Sequence, residues 1–421
     1  MKRKILPLAI GAAIAAQAGL VQADATVYGK INLTAQTQDE VYGTDNPGYS
    51  GATKKDDWEL NSNASRLGVK GKAKINDDID AVFKMEYETC VDDGVCGNNQ
   101  TFNQRNIVGG LSSKTYGTLV GGKNDTPLKM AADGTDMFND LPYGDITTYM
   151  VGENREDNIV LYTSPEFFHV TVTAATMLGE EDGVDEDFNT AKGNADTQDD
   201  GLFERTSMAV KWAPSENFWT ALSADQNVKN TDILRLNTYA ALGNFSFNGQ
   251  IQQASANNND LNEDFLDKQV GEGIGGNSGL GGVLKPAMDG LGGNCASLPS
   301  GVQIPPGANG CDWYKAIEDQ DAWMVNGKYQ LGNWAFKAQV GKSTSSTYSV
   351  VGPMDQSVDF DAKQVAMGVD YALSKNVTVF GYLAQIDVDV PNAVDFDGDG
   401  KTDDENDGEF KTGGVGFEVK F

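Results

Sequence analysis

Four aspartates with a spacing typical of calcium-binding loops lie near the end of the sequence. Asp395-Phe396-Asp397-Gly398-Asp399-Gly400 places acids at loop positions 1, 3 and 5 and a glycine at position 6. Hard oxygen ligands suit calcium, and carboxylates packed so closely are costly unless a cation neutralises them. Asn406 stands at position 12, where a bidentate Glu is usual, so a solvated acidic loop is the alternative. The candidate ligands are Asp395, Asp397, Asp399, Asp403 and the carbonyl of Lys401.

The other motifs that could support catalysis or cofactor binding are weak. The segment 271–276 fits the G-x-G-x-x-G pattern, but no apolar strand precedes it and no helix follows. A glycine-rich loop is therefore favoured over a dinucleotide site. His169 is the single histidine, and no nucleophile motif accompanies it, which argues against a Ser-His-Asp or Cys-His enzyme. The sequence predicts no enzyme and no required cofactor.

Four cysteines can cross-link two loops. Cys90 and Cys96 bracket a short loop, whereas Cys295 and Cys311 bracket a longer segment rich in glycine and proline. In an oxidising compartment, two local disulfides are the favoured pairing. A zinc site is disfavoured because the spacing is wrong and His169 is distant.

The elements that must position these residues are strands, because apolar and polar residues alternate along most of the chain. In 26–36, Val27, Ile31 and Leu33 oppose Lys30 and Asn32. The segments 65–75 and 79–88 repeat this alternation on either side of a short turn. The final segment, 414–421, ends on an aromatic within its apolar stripe, which favours a membrane β-barrel that closes on its last strand over a terminal edge strand of a soluble sandwich.

Short turns and long loops follow each other in a regular order. We count sixteen strand segments, which predicts an all-β, antiparallel sixteen-stranded transmembrane barrel with short periplasmic turns and long extracellular loops. The turns are expected near 76–78, 112–117, 164–167, 213–217, 242–244, 331–333 and 373–376. The loops are expected near 37–62, 90–100, 124–154, 179–202, 228–231, 254–320, 343–360 and 391–408.

Composition and the first residues agree with an exported barrel. Lys2, Arg3 and Lys4 precede an apolar run from Ile5 to Val21, which predicts a secretory signal peptide over residues 1–23 and a barrel over residues 24–421. No later stretch has the roughly 20 apolar residues that a spanning helix needs. The formal net charge of −29 excludes nucleic acid as a partner. The tryptophans Trp212, Trp219, Trp323 and Trp334 are predicted to form an interfacial girdle beside the short turns.

Several segments together resemble the Gram-negative general porins. The signal peptide is followed by Thr26-Val27-Tyr28-Gly29-Lys30, and similar runs occur at 65–71 and at Arg105-Asn106. The similarity continues through 117–127, 155–167, 371–375 and the terminal Phe421. The resemblance covers the mature chain in order and implies a homotrimeric diffusion channel in the outer membrane of a Gram-negative bacterium. It also implies that the third long loop, 124–154, folds into the lumen. The longer loops at 179–202 and 254–320 depart from the family pattern.

This loop is the candidate constriction of the channel. Its acids would face basic side chains on the water side of the early strands, and opposed charges across a narrow gap orient polar solutes. Some of these cations can instead pair on the wall, as Lys84 can with Glu86 or Asp80. The predicted constriction residues are Asp125, Asp133, Asp136, Asp140 and Asp145, together with Lys30, Arg66, Lys70, Lys72, Lys84, Arg105 and Arg155.

The sequence therefore predicts passive diffusion of small hydrophilic solutes and ions through a channel that contacts outer-membrane lipid and lipopolysaccharide. Acidic loops favour a weak preference for cations. Two alternatives are a channel specific for a sugar or an anion such as phosphate, and a secreted calcium-dependent adhesin. The adhesin is disfavoured because only one calcium-like loop is present.

Overall fold

A computed structural model describes most of the chain as a single curved sheet. The described residues are 23–42, 58–96, 100–132, 134–178, 202–229, 231–256, 314–349, 357–389 and 408–421. Among these residues, no helix combines the length and the apolarity that a membrane crossing requires. The predicted signal peptide, residues 1–23, lies outside the described residues except for Ala23.

Seventeen strand segments make up this sheet, and all of their pairings are antiparallel. The strands are β1 (Ala23–Tyr42), β2 (Trp58–Ser62), β3 (Arg66–Lys74), β4 (Ile79–Thr89), β5 (Phe102–Ser113), β6 (Gly117–Asp125), β7 (Arg155–Thr163), β8 (Val170–Met177), β9 (Thr206–Ser215), β10 (Phe218–Val228), β11 (Thr231–Leu242), β12 (Phe245–Ala256), β13 (Tyr314–Leu331), β14 (Trp334–Ser349), β15 (Ser357–Ala372), β16 (Val377–Asp389) and β17 (Gly408–Lys420).

The sheet closes on itself because β1 pairs with β17 on one side and with β2 and β3 on the other. The amides of Gly29 and Phe421 exchange hydrogen bonds of 2.9 and 3.1 Å with each other's carbonyls. β2 and β3 follow one path along β1 and are separated by 63–65, where Ala64 has a φ of 46°. Counted together they make one wall strand, so the predicted sixteen-stranded closed barrel is confirmed.

The two faces of the wall have reversed polarity relative to a water-soluble protein. On β1, Asn32, Thr34 and Gln36 point inward and are buried, whereas Val27 points outward and is 61% exposed. A continuous apolar outer face is costly in water and is stable against hydrocarbon. Other outward and exposed apolar residues include Leu67, Leu111, Leu119, Leu222, Leu234, Phe247, Ile251, Val325, Phe336, Val365, Met367, Leu383 and Val415.

Short hairpins at one end fix the register of the strands. Leu242 pairs with Phe245, and Leu331 pairs with Trp334, so each hairpin has a two-residue turn of sequence Gly-Asn. Gly243 and Gly332 have φ of 59° and 57°, a conformation that glycine adopts without steric cost at the first position of such a turn. Both turns lie where the sequence predicted short turns, at 242–244 and 331–333.

Strands extend further than the sequence indicated at the opposite end. β1 continues to Tyr42, β13 begins at Tyr314 and β14 continues to Ser349, all within ranges that were predicted as loops. Polar residues such as Gln38, Asp319 and Ser345 hid these extensions, because β-propensity and hydrophobicity are both low there.

Candidate functional site

Residues 126–154, between β6 and β7, fold into the barrel. The segment starts with the helix α1 (Pro127–Ala131) and includes a 3-10 helix (Ile146–Thr148). Thr126 caps α1 by accepting a hydrogen bond from the Lys129 amide, and Pro127 supplies the fixed φ that suits a first helical position. We call this segment the inserted loop.

Apolar side chains of the inserted loop pack against the inner face of β13–β17. Phe138 and Tyr149 are fully buried there, and this contact removes most of the loop's apolar surface from water. The cluster comprises Phe138, Leu141, Tyr143, Ile146, Tyr149 and Met150 of the loop with Ala322, Met324, Ala362, Ala366, Tyr382, Ala384, Ile386, Val388 and Phe410 of the wall.

One wall glycine makes room for this packing. A Cβ built on Gly341 of β14 would lie 2.1 Å from the hydroxyl oxygen of Tyr149. No side chain larger than hydrogen fits at that distance. Gly341 therefore allows the Tyr149 ring to lie directly against the strand backbone.

Glutamine side chains of the wall hydrogen-bond the backbone of the inserted loop. The amide of Gln364 donates to the Tyr143 carbonyl at 2.9 Å, and that of Gln339 donates to the Gly144 carbonyl at 3.0 Å. Gln320 accepts from the Val151 amide at 3.0 Å. Because an amide side chain can donate and accept, these residues satisfy buried backbone groups without burying charge. We call Gln320, Gln339 and Gln364 the glutamine seam.

A buried arginine anchors the end of the loop before β7. Arg235 of β11 is completely buried and forms an ion pair with Glu153. Its guanidinium also donates to the Val151 carbonyl at 2.9 Å and to Gln252 at 2.7 Å. A buried guanidinium is stable only when its donors are satisfied, so these contacts fix the end of the loop to the wall.

Two of the predicted constriction acids accept hydrogen bonds from backbone amides within the inserted loop. Asp136 accepts hydrogen bonds from the amides of Phe138 and Ile146, both at 2.9 Å, and Asp145 accepts from those of Thr147 and Asp140. Burial raises the pKa of Asp136 well above its usual range, and the nearby Asp145 carboxyl raises it further. The pKa of Asp145 is raised by its own burial and by the charge of Asp140.

A third predicted acid, Asp140, meets the basic wall. Its carboxylate lies 2.7 Å from Nζ of Lys30 and 3.4 Å from the Arg66 guanidinium. Burial by itself raises the pKa of Asp140, but the charges of Lys30 and Arg66 outweigh it and leave the pKa below the usual value. The structure thus brings Asp140 and these cations into direct contact.

The remaining paired cations share two wall carboxylates. Glu86 lies 3.1 Å from Arg105 and 3.4 Å from Lys84, which confirms the predicted pairing of Lys84 on the wall. Arg155 lies 2.9 Å from Asp125, and its Nε donates to Asn106 at 2.9 Å. These pairs place most predicted basic residues in one network on β1, β3–β5 and β7.

Two predicted basic residues lie apart from this network. Lys70 and Lys72 are exposed on the inner face of β3, and among the described residues neither has a carboxylate within 4.0 Å. Nζ of Lys70 lies 5.1 Å from the centroid of the Tyr28 ring. Asp133 lies outside the described residues, and the selectivity role of the whole set stays a prediction.

The disulfide between Cys90 and Cys96 is confirmed. Cys295, Cys311 and the predicted calcium ligands in 395–407 lie outside the described residues. Within the ranges that are described, no group of three or more His, Cys, Asp or Glu side chains is arranged to hold a metal ion.

The prediction that Trp219 belongs to an outer aromatic girdle is wrong. Trp219 packs against Ala131 of the inserted loop, so it faces the lumen. A bulge between β9 and β10 at 218–220 interrupts the simple alternation near this turn. Trp212 and Trp334 are exposed on the outer face beside short turns, as predicted, whereas Trp323 is exposed on that face midway along β13.

Sequence reasoning missed Arg235 and the glutamine seam. Each occupies an inward position in an alternating strand and is therefore indistinguishable from an ordinary water-facing polar residue. One weak sequence pattern points to the glutamine seam. Glutamines recur at inward positions on β12–β15, where β3 and β4 have charged residues.

Comparisons with known proteins agree with this architecture. The sequence matches the family described as Gram-negative porin over residues 9–391. It is 30% identical to outer membrane protein U of Vibrio cholerae serotype O1 over 146 residues, 34% of this chain and 40% of that protein. The chain spans about 40% of the length of the curated relatives it matches.

Solved structures with low sequence identity share the fold. An anion-selective porin from Comamonas acidovorans superimposes with a TM-score of 0.57 at 15% identity, over 95% of this chain and 100% of that one. OmpT of Vibrio cholerae in its trimer form gives a TM-score of 0.52 at 14% identity, over 95% and 99% of the two chains. At these identities the likeness concerns the fold alone.

Proposed function

The chain belongs to the Gram-negative porin family, and we propose that it forms a water-filled channel through which small hydrophilic solutes and ions diffuse passively. The family and its outer-membrane relatives place the protein in the outer membrane. The observation that carries the proposal is the one-sided position of the inserted loop. The loop packs on β9–β17 and touches β1 and β3 through Asp140, whereas Lys70 and Lys72 on β3 remain in contact with water.

Passage through such a lumen costs a polar solute little, because it keeps most of its hydration. The rate and the selectivity then depend on the bore and on the charges at the narrowest level. We assign this level to the contact between Asp140 and the cations Lys30 and Arg66. Arg105 and Arg155 lie in the same network and extend the positive side of the field.

We extend the proposal to a homotrimer that is surrounded by outer-membrane lipid and lipopolysaccharide. Support comes from the continuous apolar outer face and from the trimer form of the Vibrio cholerae relative. The proposal includes no catalysis. His169, the single histidine, is exposed in the turn after β7 with Nδ1 3.5 Å from Glu166.

A substrate-specific channel is the second candidate, favoured by the lumenal position of Trp219. General porins discriminate by size and charge, whereas an aromatic side chain in the lumen offers a face for a particular solute. Saturable reduction of the current by one class of solute distinguishes this candidate from a general channel.

Conductance in a planar bilayer tests the main proposal. The purified protein is expected to insert with stepwise increases that occur in groups of three, and the reversal potential in a salt gradient is expected to indicate a weak preference for cations. Failure of the folded, detergent-soluble protein to conduct would overturn the proposal. Single steps of equal size would overturn the trimer while leaving the channel in place.

Calcium binding by Asp395, Asp397, Asp399, Asp403 and the Lys401 carbonyl remains part of the proposal. Terbium luminescence, titrated with calcium as competitor, is expected to show one site per chain in the wild-type protein. The double substitution D397N/D399N is expected to remove this site, whereas D185N/D187N, in an acidic segment that lacks the spacing, is expected to leave it unchanged. Equal luminescence in both variants would indicate unspecific binding to acidic segments.

A further inference from the structure

The lumenal face of β9–β11 carries a pair of stacked aromatic rings. The rings of Trp219 on β10 and Tyr239 on β11 stack with centroids 6.1 Å apart and planes inclined by 19°. Nζ of Lys211, on β9, lies 4.2 Å from the centroid of the Trp219 ring. All three side chains are partly exposed. We call these three residues the aromatic shelf.

The aromatic shelf lies on the turn side of the inserted loop. Trp219 and Ala221 pack against Ala131, at the end of α1. Trp219 is also close to the turn that joins β9 to β10 at 216–217. A solute that has passed the loop from the extracellular side therefore meets the shelf next.

The charge of Lys211 is not balanced within the described residues. No carboxylate of these residues lies within 4.0 Å of its ammonium, which contacts the Trp219 ring instead. The inward positions beside it are neutral, with Thr171 on β8 and Ala221 on β10 as its pairing partners. Lys30, Arg66 and Arg105 differ in that each contacts a carboxylate. The shelf thus combines two stacked aromatic rings with a positive charge that has no carboxylate partner among the described residues.

We propose that the aromatic shelf is a binding subsite for aromatic monocarboxylates that cross the channel, an inference that rests on the proposed channel function. The solute ring packs against the exposed parts of Trp219 and Tyr239, and its carboxylate pairs with the Lys211 ammonium. Aromatic side chains bind planar rings by offset or edge contacts, and a carboxylate is the natural partner of a free ammonium. Each contact is weak by itself, so we expect dissociation constants of about 1–10 mM. Such weak binding allows the solute to leave again, as conduction requires.

The test uses the full protein in planar bilayers at constant ionic strength. Sodium benzoate is added to the side of the short turns, and the conductance is measured as a function of its concentration. We expect a saturable decrease with a half-effect at about 1–10 mM, and a much smaller decrease with acetate, which has the charge but no ring. Glucuronate, which has the charge on a non-aromatic ring, is expected to act more weakly than benzoate.

Substitutions on the two faces of the same hairpin separate the subsite from a general effect. W219A and K211Q are each expected to weaken the benzoate effect about five- to tenfold, and W219F is expected to preserve most of it. W212A is the matched control, because Trp212 lies on the lipid side of β9 and packs against Phe218. It is expected to leave the benzoate effect unchanged.

The outcomes distinguish the subsite from the channel. Normal conductance of the wild-type protein without a benzoate effect overturns the subsite and leaves the channel intact. A benzoate effect in W219A and K211Q as strong as that in the wild type does the same. A stronger effect of glucuronate than of benzoate overturns the choice of an aromatic solute. Absence of conductance in the folded wild-type protein overturns the channel itself. Each variant must insert into the bilayer and conduct without solute, which shows that its barrel has formed.

Discussion

Asp140 is the loop residue with the most direct effect on the charge of the lumen. Its carboxylate contacts Lys30 and Arg66 at the point where the inserted loop reaches the opposite wall. The other loop acids with described positions are either hydrogen-bonded to backbone amides of the loop or paired at its ends. A change at Asp140 therefore alters the field that a passing ion meets without removing a structural contact of the loop core.

We expect D140N to shift the selectivity toward anions. One unit charge at about 6 Å in water contributes about 0.7 kcal/mol, favourable for potassium and unfavourable for chloride. Its removal therefore changes each permeability about threefold in opposite directions and their ratio about tenfold. Reversal potentials in a KCl gradient measure this ratio. D77N is the control, because Asp77 lies in an exposed turn, paired with Lys74. An unchanged ratio in D140N would show that the narrowest level lies elsewhere.

The pair of Asp136 and Asp145 is expected to make the inserted loop sensitive to pH. The pKa of Asp136 is raised, so the folded loop retains a proton that the unfolded segment has already lost. Its stability is therefore greatest near or below the usual Asp pKa of about 4 and is lost as the pH rises through the raised value. The amide of Ile146, which donates to Asp136, is expected to lose about tenfold in hydrogen-exchange protection per unit of pKa shift.

Exchange between pH 5 and 8, corrected for the intrinsic rate, measures this effect. The Thr115 amide is the control. It donates to Asp78 at 3.1 Å, and hydrogen bonds from Ser113 and Thr115 lower the pKa of that carboxyl. Asp78 is thus ionised throughout the range, and Thr115 protection is expected to stay constant. Protection of Ile146 that rises with pH would contradict the assignment.

At the scale of elements, the segment between β4 and β5 is a loop closed by its own cross-link. Cys90 and Cys96 are joined across six positions of the sequence, and the Cys96 amide donates to the Gln100 carbonyl at 2.7 Å. The loop lies outside the continuous ladder of the wall. We therefore expect that this loop can lose its structure while the barrel remains folded.

The double substitution C90S/C96S is expected to loosen this loop alone. Closing so short a loop contributes about 2 kcal/mol in the chain-entropy description, so the protection of the Cys96 amide position is expected to fall by up to about thirtyfold. Hydrogen exchange followed by mass spectrometry measures this fall, and peptides from β13 and β14 serve as the internal control. A parallel loss of protection in those strands would show that the disulfide supports the whole wall.

The strands and the inserted loop differ in how far the sequence determines them. Apolar and polar residues alternate along 26–36 and 65–75 because one face of each strand contacts lipid and the other contacts water. The Gly-Asn turns set the register locally. The inserted loop depends on contacts between residues distant in sequence, such as Gln364 with Tyr143, which are 221 positions apart. Such contacts leave no local pattern, and the roles of Asp136 in the loop and of Trp219 in the lumen could not be derived from spacing.

At the scale of the whole molecule, the charges on the two sides of the inserted loop differ. Lys70, Lys72 and Lys211 lie on the turn side of the lumen with no carboxylate of the described residues within 4.0 Å. Segments rich in Asp and Glu, such as 179–201 and 390–407, join strands at the other end. The channel is therefore electrostatically asymmetric along its axis.

This asymmetry is expected to make the current depend on the sign of the voltage at low salt. The ratio of the currents at +100 and −100 mV, about the potential of a strongly polarised membrane, is expected to differ from one in 0.1 M KCl. It should approach one in 1 M KCl, since the Debye length falls from about 10 Å to about 3 Å. K70Q/K72Q is expected to reduce the asymmetry, and K375Q, in an exposed turn, is the control. A symmetric current at low salt would contradict the expectation.

The glutamine seam has a bearing on the medium in which such a protein works. Neutral amides hold the broad part of the inserted loop, and their hydrogen bonds respond little to dissolved electrolyte, whereas the tip at Asp140 relies on ion pairs. A change in ionic strength would thus change the ion selectivity of the channel, while the width of the constriction stays the same. In a cell exposed to fluctuating salinity, the size limit for solutes would stay constant while the charge selectivity varies with the salt concentration.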